Sequence, residues 1–184
     1  MDIRVFEPRR REHDVRASTA VRAIWMSADA PPQIARSPQR PAPAPAQETF
    51  RRIEDREFLL MSQAYSLHGG LASGDELTWR LRHHCDQPIS TLAKWIVRRE
   101  IVNLVWRSQI LVPVFQFTNA TMGVRPVVRE VMTELEGVFD DWGIAAWFAQ
   151  PNAFLRNERP VDLVNIDDGS LLQAARADRF VARG

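Results

Sequence analysis

The hydrophobic period changes near residue 100, and this change restricts the folds that the chain can adopt. Residues 89–98 carry apolar side chains every three or four positions, which is the spacing of an amphipathic helix. Two β-rich runs follow, Ile101–Trp106 and Ile110–Phe117, on either side of the polar turn Arg107-Ser108-Gln109. The sequence therefore predicts a helix followed by a β-hairpin, and Pro113 predicts that the second strand lies at the edge of its sheet.

Helical patterns stand on both sides of this hairpin. Before the helix at 89–98, the sequence predicts two more: Glu48–Leu67, which ends before Gly69-Gly70, and Asp75–Cys85, which Ser73 or Asp75 can cap. After the hairpin we expect a helix that opens at Pro126, one that begins at Asp140 or Asp141 and ends at Pro151-Asn152, a short turn at Pro160, and a last helix from Gly169-Ser170 to about Arg183. The predicted fold class is mainly α.

Proline marks the start of the folded part. Six of the 12 prolines lie between Pro31 and Pro45, where fixed backbone angles and missing N–H donors favour an extended chain. We predict that residues 1–47 are a disordered Arg/Pro-rich arm and linker, with a short helix around Ser18–Met26. Residues 48–117 are predicted to form a winged helix-turn-helix-like unit, and residues 118–184 a small helical bundle that binds a partner.

Composition excludes several classes of protein. Twenty-four basic and 23 acidic residues give a net charge of +1, so any nucleic-acid site must be local. Residues 75–117 hold six basic and four acidic side chains, whereas the chain beyond them is acidic. The single cysteine, Cys85, and the lack of a long apolar run predict a cytoplasmic protein that does not contact a membrane.

No pattern in the chain indicates an enzyme. The sequence lacks a Gly-rich phosphate loop, a G-x-S-x-G elbow and an H-E-x-x-H helix, so we predict no catalytic residues and no cofactor. The cluster His83-His84-Cys85 offers metal-ligating side chains, but adjacent helical residues point about 100° apart. Histidines that interact with the negative end of a helix are the alternative interpretation, and we predict no metal site.

The order helix, helix, helix, hairpin is typical of a winged helix-turn-helix, in which one helix enters the DNA major groove. In the predicted recognition helix at 89–98, the stripe that faces the core is Ile89, Ala93 and Ile96, with Leu92 and Val97 alongside. Two outward side chains are expected to reach base edges, Thr91 and Lys94. Three arginines are expected to contact phosphates: Arg98, Arg99 and Arg107. The alternative is that these charges form the solvated face of an ordinary surface helix.

Large apolar side chains are dense towards the C-terminus, where Trp142, Trp147, Phe148 and Phe154 lie within thirteen positions. They can form the local core, or they can leave an apolar patch that another protein covers. The last helix adds a basic stripe of Arg176, Arg179 and Arg183, which is either solvated surface or able to enter an acidic cleft on a partner.

Residues 147–163 resemble the toxin-binding domain of the Xre/MbcA/ParS antitoxin-like family. The matching residues are Trp147-Phe148, Pro151-Asn152, Leu155, Pro160 and Asp162-Leu163, followed by a helix with Ala174-Ala175. The run Pro113-Val114-Phe115-Gln116-Phe117 is similar to the Pro-x-x-Gln-Phe strand that precedes this domain in many members.

This resemblance implies a non-catalytic bacterial antitoxin. Members fold as helical bundles, dimerise, bind operator DNA and neutralise a RES-type toxin that degrades NAD. The residues then expected to bind the toxin are Trp147, Phe148, Asn152, Leu155, Pro160, Leu163, Arg176, Arg179 and Arg183. The alternative is an orphan adaptor or scaffold that binds other proteins without DNA contact.

Overall fold

The computed structural model describes residues 45–184, with side chains from residue 52 onwards. The predicted helix at Ser18–Met26 and nearly all of the predicted arm lie outside the described residues. The arm prediction is wrong at its end, because Pro45–Gln47 already belong to the first helix. Proline is compatible with the first turn of a helix, where its missing N–H has no intrahelical partner.

The described chain is mainly helical with one small antiparallel sheet, which confirms the predicted fold class. The helices are α1 Pro45–Ser66, α2 Gly74–Leu81, α3 Pro88–Val97, α4 Pro126–Leu135, α5 Asp141–Ala149, α6 Pro160–Leu163 and α7 Asp168–Arg183. The strands are β1 Leu71–Ser73, β2 Leu104–Trp106 and β3 Gln109–Pro113, and two 3-10 helices span Val114–Gln116 and Ala153–Leu155.

The sheet includes a strand that the sequence did not reveal. Its order is β1–β3–β2, with Leu71 opposite Pro113 and Trp106 opposite Gln109. The prediction that Pro113 lies on an edge strand is therefore wrong, since β3 is central. Proline is tolerated there because it is the last residue of β3, and β2 pairs only as far as Leu111. The element order α1–β1–α2–α3–β2–β3 is that of a winged helix.

The hairpin is tighter than predicted. Only Arg107 and Ser108 form its turn, with φ values of 46° and 68°, as a type I′ turn requires. Beyond Pro113 the chain leaves the sheet as a 3-10 helix, and residues 101–103 are not strand either. The reason is Gln116, whose fully buried side chain accepts from Val102 N–H at 2.7 Å and donates to the Val102 and Pro113 carbonyls at 2.8 Å. A side chain thus replaces strand pairing for these backbone groups.

Local signals fix the ends of α1 and α2. A Cβ at Gly69, whose φ is +93°, would lie 2.9 Å from the Val114 side chain, so glycine is required there. Ser73 caps α2 in a capping box with Glu76, as one of the two predicted caps. The helix ends at Leu81 and not at Cys85, and residues 82–84 form a turn.

Two hydrophobic cores hold the elements together. One lies inside the winged unit and contains Leu77, Leu81, Leu92, Ile101, Val112 and Phe117. The other is built from α4 to α7 but also includes Met61, Ala64 and Tyr65 of α1 and Leu104 of β2. Helix α1 therefore packs on the C-terminal helices, so the two predicted units share a core.

Polar contacts join the same parts of the chain. The buried Tyr65 hydroxyl donates to the Ala145 carbonyl at 2.5 Å, and burial raises the pKa of this phenol well above its ordinary value. The Glu100 carboxylate lies 3.2 Å from the Arg129 guanidinium of α4. Among the helices of the described residues, none combines the length and apolar character needed to cross a membrane.

Candidate nucleic-acid interface and C-terminal polar cluster

Helix α3 packs on the winged-unit core with a face that only partly overlaps the predicted one: Leu92 and Ile96 were predicted to face the core, and Trp95 was not. Leu92 is buried, and Trp95 and Ile96 pack beside it, with the Trp95 ring centroid 5.7 Å from that of Phe117. The exposed side chains are Ile89, Ser90, Ala93, Lys94 and Val97. The prediction that Ile89, Ala93 and Val97 face the core is therefore wrong. The bulkier set at positions 92, 95 and 96 fills the space against the sheet, which turns the smaller apolar residues outwards.

Because α3 is rotated about its axis relative to the prediction, a different set of polar side chains faces outwards. Thr91, expected to face outwards, is half-buried, whereas Lys94 is exposed as predicted. Ser90 takes the outward position beside Lys94. The outer face of α3 is the name used below for its five exposed residues, Ile89, Ser90, Ala93, Lys94 and Val97. The whole helix contains no acidic residue.

The hairpin tip projects a cation. The Arg107 side chain is 75% exposed, and its guanidinium carbon lies 5.5 Å from the centroid of the Trp106 ring. The Asp55 carboxylate is 3.5 Å away, which is a weak contact for an exposed pair. Trp106, the residue before the turn, stacks on Phe58 of α1 with ring centroids 4.3 Å apart, so the hairpin packs on α1 up to its turn while Arg107 is exposed.

The two arginines after α3 differ in availability. Arg98 is exposed, and its Nη1 lies 3.8 Å from the Glu100 carboxylate, which is a weak contact. Arg99 has a φ of 54°, and its Nη2 lies 3.0 Å from an Asp141 carboxylate oxygen of α5. The Nε and Nη2 atoms of Arg99 are buried while its side chain as a whole is 39% exposed, so the phosphate contact of Arg99 stays a prediction. In this structure Arg99 ties the end of α3 to the C-terminal helices.

The side chains of His83 and Cys85 make separate local contacts. His83 contacts the exposed Trp79 ring edge-on, with centroids 5.9 Å apart, and Cys85 lies against the Leu81 carbonyl. Among the side chains described from residue 52 onwards, no three from His, Cys, Asp or Glu come together as metal ligands would.

A polar cluster organises the C-terminal helices around Asp178. One carboxylate oxygen of Asp178 accepts from Trp147 Nε1–H at 2.7 Å and from Asn152 Nδ2–H at 2.6 Å. The Asn152 side-chain oxygen in turn accepts from Phe154 N–H, which fixes the turn after α5. Asp178 is the central residue of this cluster, and no motif in the sequence pointed to it.

Most residues that the resemblance assigned to toxin binding lie inside this unit. Trp147, Phe148, Asn152, Leu155 and Pro160 are buried, and Leu163 is half-buried. Burial contradicts direct contact of the first five with a partner, whereas the contact of Leu163 stays a prediction. Helices α1 and α4 supply the covering surface that the short helices lack, and α1 comes from far away in the sequence. The core interpretation of Trp147 and Phe148 is thus the correct one.

The basic stripe on α7 is largely engaged. Arg176 donates to the Glu134 carboxylate of α4 at 2.9 Å, and Arg179 pairs with the same carboxylate. Arg183 is exposed. Three apolar side chains of this unit are exposed: Phe154, which belongs to the aromatic set considered above as a partner patch, and Phe180 and Val181, which were not predicted as a site.

A second polar joint fixes α6 against the end of α1. The Asp162 carboxylate receives hydrogen bonds from Arg159, at 2.6 and 2.9 Å, and lies 2.8 Å from His68 Nε2. Burial opposes ionisation of Asp162, but the hydrogen bonds from Arg159 and His68 outweigh it and lower its pKa.

Comparison of the chain with protein families, with curated proteins and with solved structures finds no match. The resemblance to the Xre/MbcA/ParS antitoxin-like family therefore stays a prediction.

Proposed function

We propose that this chain is a non-catalytic, cytoplasmic DNA-binding regulator. The outer face of α3 enters the major groove, and the hairpin tip contacts the backbone beside it. The observation that carries this proposal is the winged-helix order with β1 paired on β3, which leaves α3 with an exposed face free of acidic residues.

The charge distribution around α3 supports the same function. Three cations are exposed in this region. Lys94 lies on the outer face of α3, Arg98 follows the helix, and Arg107 extends from the hairpin turn. Two acidic residues flank α3: Asp86, which is exposed, and Glu100, which is paired with Arg129 and is less exposed than Arg98. Phosphate contacts of this number give modest affinity that falls with added salt.

Fluorescence anisotropy of the full chain with labelled duplex DNA tests the proposal. Duplexes that the chain enriches from a random-sequence pool are titrated at several salt concentrations. We expect R98A combined with R107A, which removes the two exposed arginines assigned to phosphates, to weaken binding at least tenfold and to lower the salt slope by about two. R183A, which removes one exposed cation on α7, is the matched control and should change neither the affinity nor the salt slope. No enrichment and no binding at low salt would refute the function.

A partner-binding role for the C-terminal helices is the second part of the proposal. The exposed side chains Phe154, Phe180 and Val181, together with Arg183, offer an apolar and cationic surface. With the family resemblance, this surface supports an antitoxin-like function towards a RES-type NAD-degrading toxin. An orphan adaptor that binds another protein is the alternative.

Co-expression with such a toxin separates these two roles. An antitoxin should restore growth and co-purify with the toxin, and F180S combined with V181S should abolish both. L67S, at an exposed leucine directly after α1, is the matched control. Growth arrest that the wild-type chain cannot relieve would contradict the antitoxin role. The predicted homodimer is checked by light scattering of the purified chain.

A further inference from the structure

The outer face of α3 is unusually apolar for a helix that is proposed to bind DNA. Ile89 is 61% exposed and Val97 is 81% exposed, and Ala93 lies between them on the same face. These positions follow one another at intervals of four, so they form one line along the helix. Exposure of these three apolar side chains to water is unfavourable. A ligand that covers them gains free energy if it presents apolar groups of its own.

The major groove of DNA presents one such group, the C5-methyl of thymine. Resting on the proposed function, we infer that Ile89, Ala93 and Val97 read thymine methyl groups. A protein partner would also cover apolar side chains, but it would not explain the cations beside them. Lys94 is on the same face, Arg98 follows the helix, and Arg107 extends from the hairpin. This combination fits a polyanion with apolar groups in its groove.

Helix geometry limits the extent of this readout. The eight residue steps from Ile89 to Val97 span about 12 Å along the helix axis. At about 3.4 Å per base pair, the line covers three to four base pairs. Lys94, near the middle of the face, can donate to guanine O6 or N7, and Ser90 can contact either kind of base edge. The preferred site is therefore thymine-rich over three to four base pairs and includes a guanine.

Replacing thymine by deoxyuridine tests this inference, because it removes only the methyl group. The probe is the duplex enriched most strongly by the full chain, made with thymine or with deoxyuridine at the recognised positions. We expect about fourfold weaker binding for each contacted methyl removed, the factor for burying a group of this size. Deoxyuridine outside the recognised positions should change nothing.

Protein variants combined with the two duplexes form a double-mutant cycle. I89A combined with V97A should weaken binding to the thymine duplex and lose most of the difference between thymine and deoxyuridine. L67A, which shortens an exposed leucine directly after α1, should keep the full difference. Equal binding of both duplexes by the wild-type chain overturns the inference and leaves DNA binding intact. Absence of binding to any duplex overturns the proposed function and the inference together.

Discussion

The buried amide of Gln116 fixes the position of the hairpin relative to α3. Replacing it by leucine keeps the approximate volume but removes three hydrogen bonds to Val102 and Pro113. A buried N–H that loses its partner costs about 2 kcal/mol, and each carbonyl about 1 kcal/mol. Because the introduced leucine recovers part of this by apolar burial, we expect Q116L to lower the free energy of unfolding by about 3 kcal/mol.

Urea denaturation followed by circular dichroism measures this loss, with Q109L as the matched control. Gln109 begins β3 and is exposed, so its replacement should change stability by less than about 0.5 kcal/mol. A loss below 1 kcal/mol for Q116L would refute the reasoning, since it would mean that the backbone groups find other partners.

Gln116→Glu adds a pH readout to the same site. The carboxyl would face the Val102 and Pro113 carbonyls, so its pKa should be raised in the folded state. The folded protein then binds more protons than the unfolded one, and the stability of Q116E relative to wild type should fall as the pH rises above about 4. A pH-independent difference between Q116E and wild type would show that the carboxyl is solvated.

Three further predictions concern other parts of the fold. Replacing Arg107-Ser108 by Asn-Gly should raise stability by about 1 kcal/mol in thermal unfolding, because both residues have positive φ; a loss would contradict the type I′ assignment. D178A should lower stability by about 2 kcal/mol in urea, since it leaves two N–H donors unpaired, and an unchanged midpoint would disprove the role of the cluster. The lowered pKa of Asp162 contributes stability that is fully present above its unfolded value of 3.8 and is lost as the pH falls below it, so D162N should flatten the acid limb of stability against pH; an identical acid limb would contradict this.

Local signals in the sequence were sufficient to locate most elements. Ser73 as a cap, Gly69-Gly70 as a stop and Pro126 as a helix start all depend on residues within one turn of the feature that they define. The hairpin was visible from its period, although its length was overestimated. The missing information was the side chain of Gln116, because nothing in an apolar run shows that one amide will pair with the backbone of another segment.

Long-range packing explains the errors about sites. Strand β1 has three residues and forms only because β3 is available to pair with it. The rotation of α3 depends on the sheet surface under Trp95, and the burial of Trp147 and Phe148 depends on helix α1, about 80 residues earlier. Periodicity finds the apolar residues of an element, but it does not decide which of two apolar faces meets the core.

The most direct test of the account is NMR mapping of the DNA contact. The isotope-labelled full chain is titrated with the duplex that it enriches, and backbone amide shifts are followed. The account predicts that the largest changes fall on the outer face of α3, at residues 89–97, and on the hairpin tip at Arg107-Ser108. Changes centred on α1 or α7, with the outer face of α3 unaffected, would contradict it.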